Sequence, residues 1–445
     1  MYVDLQQTFK VTAMQRHVKR NVLLLCIINF LVMLGFGAFN LLRPYLVLAL
    51  KGVLTELPEE VASISASEAV VELGLMMSAF MATRSIMAAV SGYLGDVFGR
   101  KKLISLGLAL YIAIGLLYAI IVNVDQLMVL RAIQGVASGM VWPLAQALIA
   151  DSVSRDFRGR AISLYTMFSN VARIIGPMMG VLAYSITVNV LGFRDPLSAF
   201  RAPTVLISVF CFPALIASLA IIEVKSTSQT ERKIEFSLSS YFREFKNLSR
   251  DVKRSLTVIY INGLANGIAM SIFMSIVMVY AIEYVVKDPA IIGGLMSLSA
   301  IAGLIAAYPG SWLSDKIGRK PVAIAAMIPS RAAIMFIPFI RDVNSLTLIF
   351  LVRMVSFNIS MPVMRALQAD IVPSEVRGRV FGLQQAFSNL GMLIGPLIGS
   401  YLYAYLKGVN VTPWLPGIAI PFIIGGTIGF ITLILFALFV AEAKA

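Results

Sequence analysis

The sequence predicts an all-α membrane protein in which twelve transmembrane helices form two homologous six-helix bundles. Three observations predict it. Of 445 residues, 59% are hydrophobic and only 13% charged, with a mean hydropathy of +0.86, which leaves too few polar groups to cover a soluble surface of that size. Twelve apolar runs follow one another, each near the roughly 20 residues that a helix needs to cross a hydrocarbon core. One short basic motif occurs twice, at a spacing of about half the chain.

The runs in the first half are 21-50, 69-95, 103-122, 126-150, 160-187 and 202-223; those in the second are 256-283, 289-314, 321-340, 345-370, 379-406 and 415-440. The first is far longer than a signal-peptide core and is read as a retained helix. Val224 to Ser255 trades apolar periodicity for Ser, Thr, Lys and Glu, and its stretch from Phe236 to Phe245 interleaves aromatic and basic residues, as a cytoplasmic segment lying on lipid would. The expected organisation is a cytoplasmic amino-terminal tail (1-20), an amino-terminal six-helix bundle (21-223), a cytoplasmic linker (224-255), a carboxy-terminal six-helix bundle (256-440) and a short cytoplasmic tail (441-445).

The repeated motif reads Gly92-Tyr93-Leu94-Gly95-Asp96-Val97-Phe98-Gly99-Arg100-Lys101-Lys102 and then Gly310-Ser311-Trp312-Leu313-Ser314-Asp315-Lys316-Ile317-Gly318-Arg319-Lys320. Asp96 and Asp315 are 219 residues apart, and Gly99 and Gly318 keep the same offset. Each copy closes one apolar run and opens the next, so it is a tight basic turn between two helices. Small residues at 92, 95, 310 and 314 suit close helix approach, and Gly99 and Gly318 suit backbone angles that a side chain forbids. The repeat continues in Ala150-Asp151 with Ala369-Asp370, in Arg158-Gly159-Arg160 with Arg377-Gly378-Arg379, and in Gly176-Pro177-Met178-Met179-Gly180 with Gly395-Pro396-Leu397-Ile398-Gly399. Two halves of six spans insert in the same orientation, which makes them parallel repeats related by a pseudo-twofold axis along the membrane normal.

The net charge of +14 is explained by where the basic residues fall. The tails and the loops near 100, 155, 240, 318 and 377 hold 24 of the 37 Lys and Arg, while the loops on the other face hold six. Positive residues stay inside, so both termini are expected to be cytoplasmic, in a multi-pass protein of the cell membrane. A basic nucleic-acid partner surface is thereby not required.

This arrangement resembles the loop between helices 2 and 3 of the major facilitator superfamily (MFS), repeated between helices 8 and 9, and in motif pattern it is nearest the twelve-helix drug-exporter-like and antiporter members. The resemblance implies the MFS fold and a secondary transporter that alternates access by rocking its halves about a midplane site. It implies that Asp96, Arg100 and Asp151, and again Asp315, Arg319 and Asp370, act as conformational clamps between helices, the first holding helix 2 to helix 11 and the second helix 8 to helix 5. It also implies that helices 1, 4, 7 and 10 line the cavity. Arg131-Ala132-Ile133-Gln134-Gly135 resembles the family's Arg-x-x-Gln-Gly signature; its nearest counterpart, Arg353, is displaced by three residues. Gly176-Pro177-x-x-Gly180 resembles the proline signature of antiporters, in which proline bends the helix, although Ala172 stands where a glycine is usual. Gly391 with Gly395, Pro396 and Gly399 gives the more complete version.

Seven arginines fall inside the expected spans, away from their first and last residues: Arg43, Arg84, Arg131, Arg173, Arg331, Arg353 and Arg365. A charge at mid-bilayer costs at least about 2.5 kcal/mol and must face protein or water, yet no carboxylate stands at mid-depth; Glu72 and Glu283 lie near helix ends. At the offset of 219, Arg84 corresponds to Gly303, Arg173 to Met392 and Arg43 to Asn262. Arg84 and Arg173, near the midplane and unmatched in the other half, are the leading substrate contacts, with Arg131 beside them. Arg331 is expected to bond neighbouring carbonyls. Asn40, Asn262, Asn266, Asn358 and Gln384, with Gln385, offer neutral hydrogen bonds.

The expected function is transport of a small organic solute, leaning anionic or zwitterionic. The alternative is a multidrug or apolar-solute exporter exchanging protons, supported by the proline signature and by many Met and Phe residues; a non-transporting sensor on the same fold is a second alternative. No Walker sequence for a nucleotide-driven pump occurs. An enzyme would need a nucleophile and base or a metal cluster, and His17 is the only histidine. No cofactor and no metal are expected. The expected partners are a small-molecule substrate, a coupling ion and the lipid bilayer, with no nucleic acid, and the chain is expected to act as a monomer.

Overall fold

The computed structural model describes residues 2–223, 250–372 and 377–440. Most of the expected linker, including the stretch from Phe236 to Phe245, and the tail 441-445 lie outside the described residues. Twelve long helices stand where the apolar runs predict them: α1 (Tyr2–Leu50), α2 (Val70–Phe98), α3 (Arg100–Tyr118), α4 (Val124–Ser152), α5 (Arg155–Ser185), α6 (Pro196–Leu219), α7 (Arg250–Tyr284), α8 (Pro289–Ile317), α9 (Arg319–Phe336), α10 (Val343–Ile371), α11 (Arg377–Tyr405) and α12 (Ile420–Phe439). Among the described residues eleven are apolar and long enough to cross a membrane. The twelfth by position is α11, whose first half carries Gln384, Gln385, Ser388 and Asn389.

Several boundaries differ from expectation; α7, for one, starts at Arg250 rather than 256. Helix α1 continues upstream of residue 21, because a helix satisfies its own backbone and needs no apolar run to persist. Helix α6 starts at Pro196 rather than 202: the Asp195 carboxylate accepts the Ser198 N–H at 2.9 Å, and Pro196 has no N–H to leave unsatisfied. A short antiparallel pair, β1 (Asn410–Thr412) and β2 (Leu415–Pro416), joins α11 to α12.

The sequence repeat is also a structural one. Helices α2 and α8 have the same length and boundaries 219 residues apart, as do α4 and α10. The turns agree as well, with φ of 96° at Gly99 and 101° at Gly318, in the left-handed region that glycine alone enters freely. Asn123 caps α4 by accepting the Gln126 N–H at 2.9 Å, and Asp342 at the equivalent position caps α10 through the Ser345 N–H at 2.8 Å. Replacing Asn123 with Ala should therefore cost about 1 kcal/mol, read as a lower melting temperature.

Asp195 and Asp342 hold their carboxyls below the ordinary carboxylate value because the backbone N–H groups of Ser198 and Ser345 donate to them. A depressed folded pKa adds stability that is present above the unfolded value, about 3.9, and lost as pH falls through the folded one. The gap in melting temperature between the native chain and Asp195→Ala should narrow below about pH 4.

The helices sort into two compact units. Among the described residues, the first comprises 2–50, 55–57 and 82–223, the second 51–54, 58–81, 250–372 and 377–440. In the first, α1 packs against α5 and α6, and α3 against α4 and α6; in the second, α7 packs against α11 and α12, α9 against α10 and α12, and α8 against α10. The second unit takes in residues 58–81, which include the first part of α2. There Ser78 donates to the Leu393 carbonyl at 2.8 Å and Gly74 abuts Ser400 and Pro396.

Helices α1 and α7 correspond at a different offset from the rest. Gly180 meets Ala38 and Gly399 meets Ile272, 234 residues further on, and the helices end at Leu50 and Tyr284 with the same difference. The connection from α1 to α2 is longer than that from α7 to α8. Arg43 therefore corresponds to Val277, not to Asn262.

Candidate functional site

At the Gly99 turn of the first unit, Arg100 pairs with Asp151 of α4 and reaches Asp96 at 3.4 Å. In the second unit Arg319 pairs with Asp370 of α10 at 2.5 Å and approaches Asp315 at 3.9 Å. Each trio ties the end of one helix to the start of the next and to a third helix. The side chains are partly exposed, where such pairs contribute at most about 1 kcal/mol. Of the small residues flanking these turns, Gly95 lies against Leu144 and Gly310 against Ile359, while a Cβ at Gly92 would meet open space.

Arg84 is the middle residue of α2. A Cβ on Gly139 of α4 would come within 2.7 Å of the Arg84 carbonyl oxygen and of the Met87 Cβ, so the two helices touch there because α4 has no side chain at 139. In the second unit the sizes are exchanged: Gly303 replaces the arginine on α8, and Asn358 replaces the glycine on α10, with a Cβ on Gly303 lying 3.0 Å from the Met354 carbonyl oxygen. One helix contact is thus filled from opposite sides, and only the first unit places a cation there.

Arg173 sits at the middle of the span Phe157–Val190 of α5, on an exposed position, with Arg84 half-buried. Both belong to the first unit, each at the middle of its helix, and the charge of Arg84 opposes that of Arg173. Among the described residues neither has a hydrogen-bond or ion-pair partner. Two like charges without a counter-ion form a donor-rich position suited to an anionic group.

The remaining arginines are held differently. Arg131 is buried, donates to Gln134 Oε1 at 2.5 Å and lies 5.9 Å from the centroid of Phe39. Tyr118 also donates to Gln134 Oε1, at 3.1 Å, and stacks on Phe39. Arg353 sits at 3.9 Å over Phe273, the counterpart of Phe39 at the 234 offset. Arg43 reaches Asn40 at 3.4 Å, and Arg365 is exposed on α10. Arg331 donates to the Gly429 carbonyl at 3.0 Å and to Asn266 Oδ1 at 2.6 Å; Asn266 in turn donates to Asn262. This chain of bonds joins α9, α12 and α7. Asn358 donates to the Met354 carbonyl of its own helix at 2.9 Å; Gln384 is half-buried on α11, and Gln385 bonds Asn389 at 2.9 Å.

The glycines of the proline signatures make close contacts. A Cβ at Gly176 would stand 2.8 Å from the Gly37 Cα, and one at Gly180 2.7 Å from the Ala38 carbonyl oxygen. Gly395 and Gly399 meet Ile268 and Ile272 of α7 in the same manner. Pro177 and Pro396 lie inside helices that continue through them.

A cluster at the opposite end of the second unit was not legible in the sequence. Lys51 pairs with Glu72 at 2.5 Å, and Lys407 with Glu283 at 3.2 Å. Glu283 also accepts the Ser67 N–H at 2.6 Å, and Lys287 donates to the Val61 and Ala62 carbonyls. Glu283, Tyr284 and Lys287 line a cavity of about 380 Å³ there. These partners are distant in the chain, and periodicity gives no signal for them. Among the described residues no three His, Cys, Asp or Glu side chains are grouped to hold a metal.

A sequence model of the Major Facilitator Superfamily matches residues 25–287 and 259–445. The chain is 26% identical to the multidrug resistance protein MdtG of Enterobacter lignolyticus (strain SCF1), over 74% of this chain and 76% of that protein. It is also 26% identical to the quinolone resistance protein NorA of Staphylococcus aureus (strain COL), over 75% and 81%. The crystal structure of a D-xylose-proton symporter covers 95% of this chain and 99% of its own, with a TM-score of 0.67 at 19% identity. The repeated turns, the matched helices and the family match over both halves lead to one conclusion: this chain belongs to the Major Facilitator Superfamily and is a multi-pass membrane transporter.

Proposed function

We propose that this protein exports amphipathic organic solutes bearing a negative charge, anionic or zwitterionic, and that Arg84 and Arg173 receive that charge at mid-membrane. The observation that carries this reading is the pair itself: two guanidinium groups in one unit, at the centres of α2 and α5, without a described partner. Relatives named for multidrug and quinolone resistance support export and broad cargo. They equally favour a second reading, export of apolar or cationic drugs, for which Met and Phe side chains supply the adaptable contacts. Proteoliposomes discriminate: the first reading expects uptake of an aromatic carboxylate to exceed that of its neutral amide and of an aromatic cation, and the second expects the opposite order.

In this proposal residues 21-223 and 256-440 rock as two bundles, with both termini cytoplasmic, and a monomer suffices. The work is transfer of an unchanged solute, so no covalent chemistry and no cofactor enter. Glu72, Glu283 and Asp151 are the candidates to carry a coupling proton in this proposal, and each has a cationic neighbour. The trios Asp96, Arg100, Asp151 and Asp315, Arg319, Asp370 act as clamps that break once in each cycle. Asp151→Asn and Asp370→Asn are expected to slow turnover several-fold while equilibrium cargo affinity changes little, as measured by flux and ligand titration on the same preparations.

A further inference from the structure

We infer a second anion-binding site in the first unit, separate from Arg84 and Arg173, formed by Arg43 of α1 with Gln134 and Arg131 of α4 and closed by Tyr118 of α3. Its ligand class is a small monovalent anion, supplied either as an inorganic halide or as the carboxylate of a solute in passage.

The site lies in the outer part of its helices. Arg43 precedes the end of α1 at Leu50 by seven residues, and Arg131 follows the Asn123 cap of α4 by eight, which at 1.5 Å per residue is about 11 Å from either end. Arg84 stands at the middle of its own helix. Phe39, one turn before Arg43 on α1, stacks on Tyr118 at 4.7 Å between ring centroids and lies 5.9 Å from the Arg131 guanidinium carbon, which brings the two arginines and the phenol together. Residues 17–50, 100–118, 157–190 and 196–219 hold no Asp or Glu, and α4 carries them only at its two ends, Asp125 and Asp151.

The donors are in excess. Gln134 is fully buried, and its Oε1 already accepts from both Arg131 and Tyr118. That pairing fixes the amide orientation, since a flipped amide would turn its NH₂ toward the guanidinium. The Gln134 Nε2 is left buried without an acceptor, as is the Arg43 Nε. A buried donor without an acceptor is costly, and an anion supplies acceptors only. The second unit has no such cluster: Val277 stands for Arg43, and Arg353 occupies the place of Gln134.

Thermal unfolding of the full-length protein in detergent tests this, comparing sodium chloride, sodium benzoate and sodium gluconate at equal ionic strength. Chloride or benzoate is expected to raise the melting temperature by several degrees, saturably, by binding the folded state. Arg43→Gln should lose the shift. Gln134→Glu, which supplies a tethered carboxylate, should lose it too while melting in gluconate at or above the native chain. Arg84→Gln should keep it, which separates this site from the midplane reading. A shift with chloride assigns an inorganic ion, and a shift with benzoate alone assigns a solute carboxylate; either supports the site. No anion-dependent shift, a shift retained by Arg43→Gln, or one abolished by Arg84→Gln overturns it.

Discussion

Arg84→Gln and Arg173→Gln are each expected to lower the flux of an aromatic carboxylate by at least about tenfold, with the flux of its neutral amide much less affected. A hydrogen bond to a charged group is worth about 1.5–3 kcal/mol, and 1.4 kcal/mol is about a factor of ten in affinity. Misfolding does not explain such a loss in this case. Each substitution removes a charge that lacks a counter-ion, so the melting temperature should hold or rise while transport falls. A lysine at position 84 should rescue only in part, because a guanidinium grips a carboxylate with two parallel bonds and an ammonium does not.

The second large effect concerns packing. Gly176→Ala is expected to cost about 3 kcal/mol, the upper part of the usual range for overpacking, because the new Cβ would meet the Gly37 Cα at 2.8 Å and the Gly176 helix cannot yield without moving its backbone. Gly92→Ala is the matched control. It also lies inside a helix, but nothing surrounds its Cβ position, so the gain in helix propensity should raise stability by about 0.5–1 kcal/mol. Denaturant or thermal melts of the two variants beside the native chain should therefore move in opposite directions.

Residues Gly99 and Gly318 show what could be read from the chain alone. A duplicated motif at fixed offset has one economical explanation, two copies of the same turn, and their φ angles agree. The helices between copies followed because hydrocarbon thickness sets their length. The trios of Asp and Arg were legible as sets, since each joins positions that the repeat itself brought forward.

Contacts between distant segments were less legible. The offset of α1 to α7 differs from that of the other pairs because a loop length changed, and a loop leaves no mark on the apolar pattern; the 219 offset therefore pairs Arg43 with Asn262, where the helices pair it with Val277. The glycines beside Pro177 were read as part of a bend, while their neighbours on α1 show them as contact points. The sequence marks Asn262 and Asn266 as sources of neutral hydrogen bonds, but not their partners: Arg331 of α9 donates to Asn266, which donates to Asn262. The exchange of Arg84 and Gly139 for Gly303 and Asn358 needed the facing helix to be known. Polar partners across helices obey geometry that periodicity in one helix cannot contain.

Equilibrium titration of the purified protein with an aromatic carboxylate and with its isosteric amide tests the central claim most directly. Tighter binding of the carboxylate, by tenfold or more and reduced to near equality in Arg84→Gln, is the predicted result. Equal affinities in the native chain, or a preference that survives the loss of both Arg84 and Arg173, would contradict it.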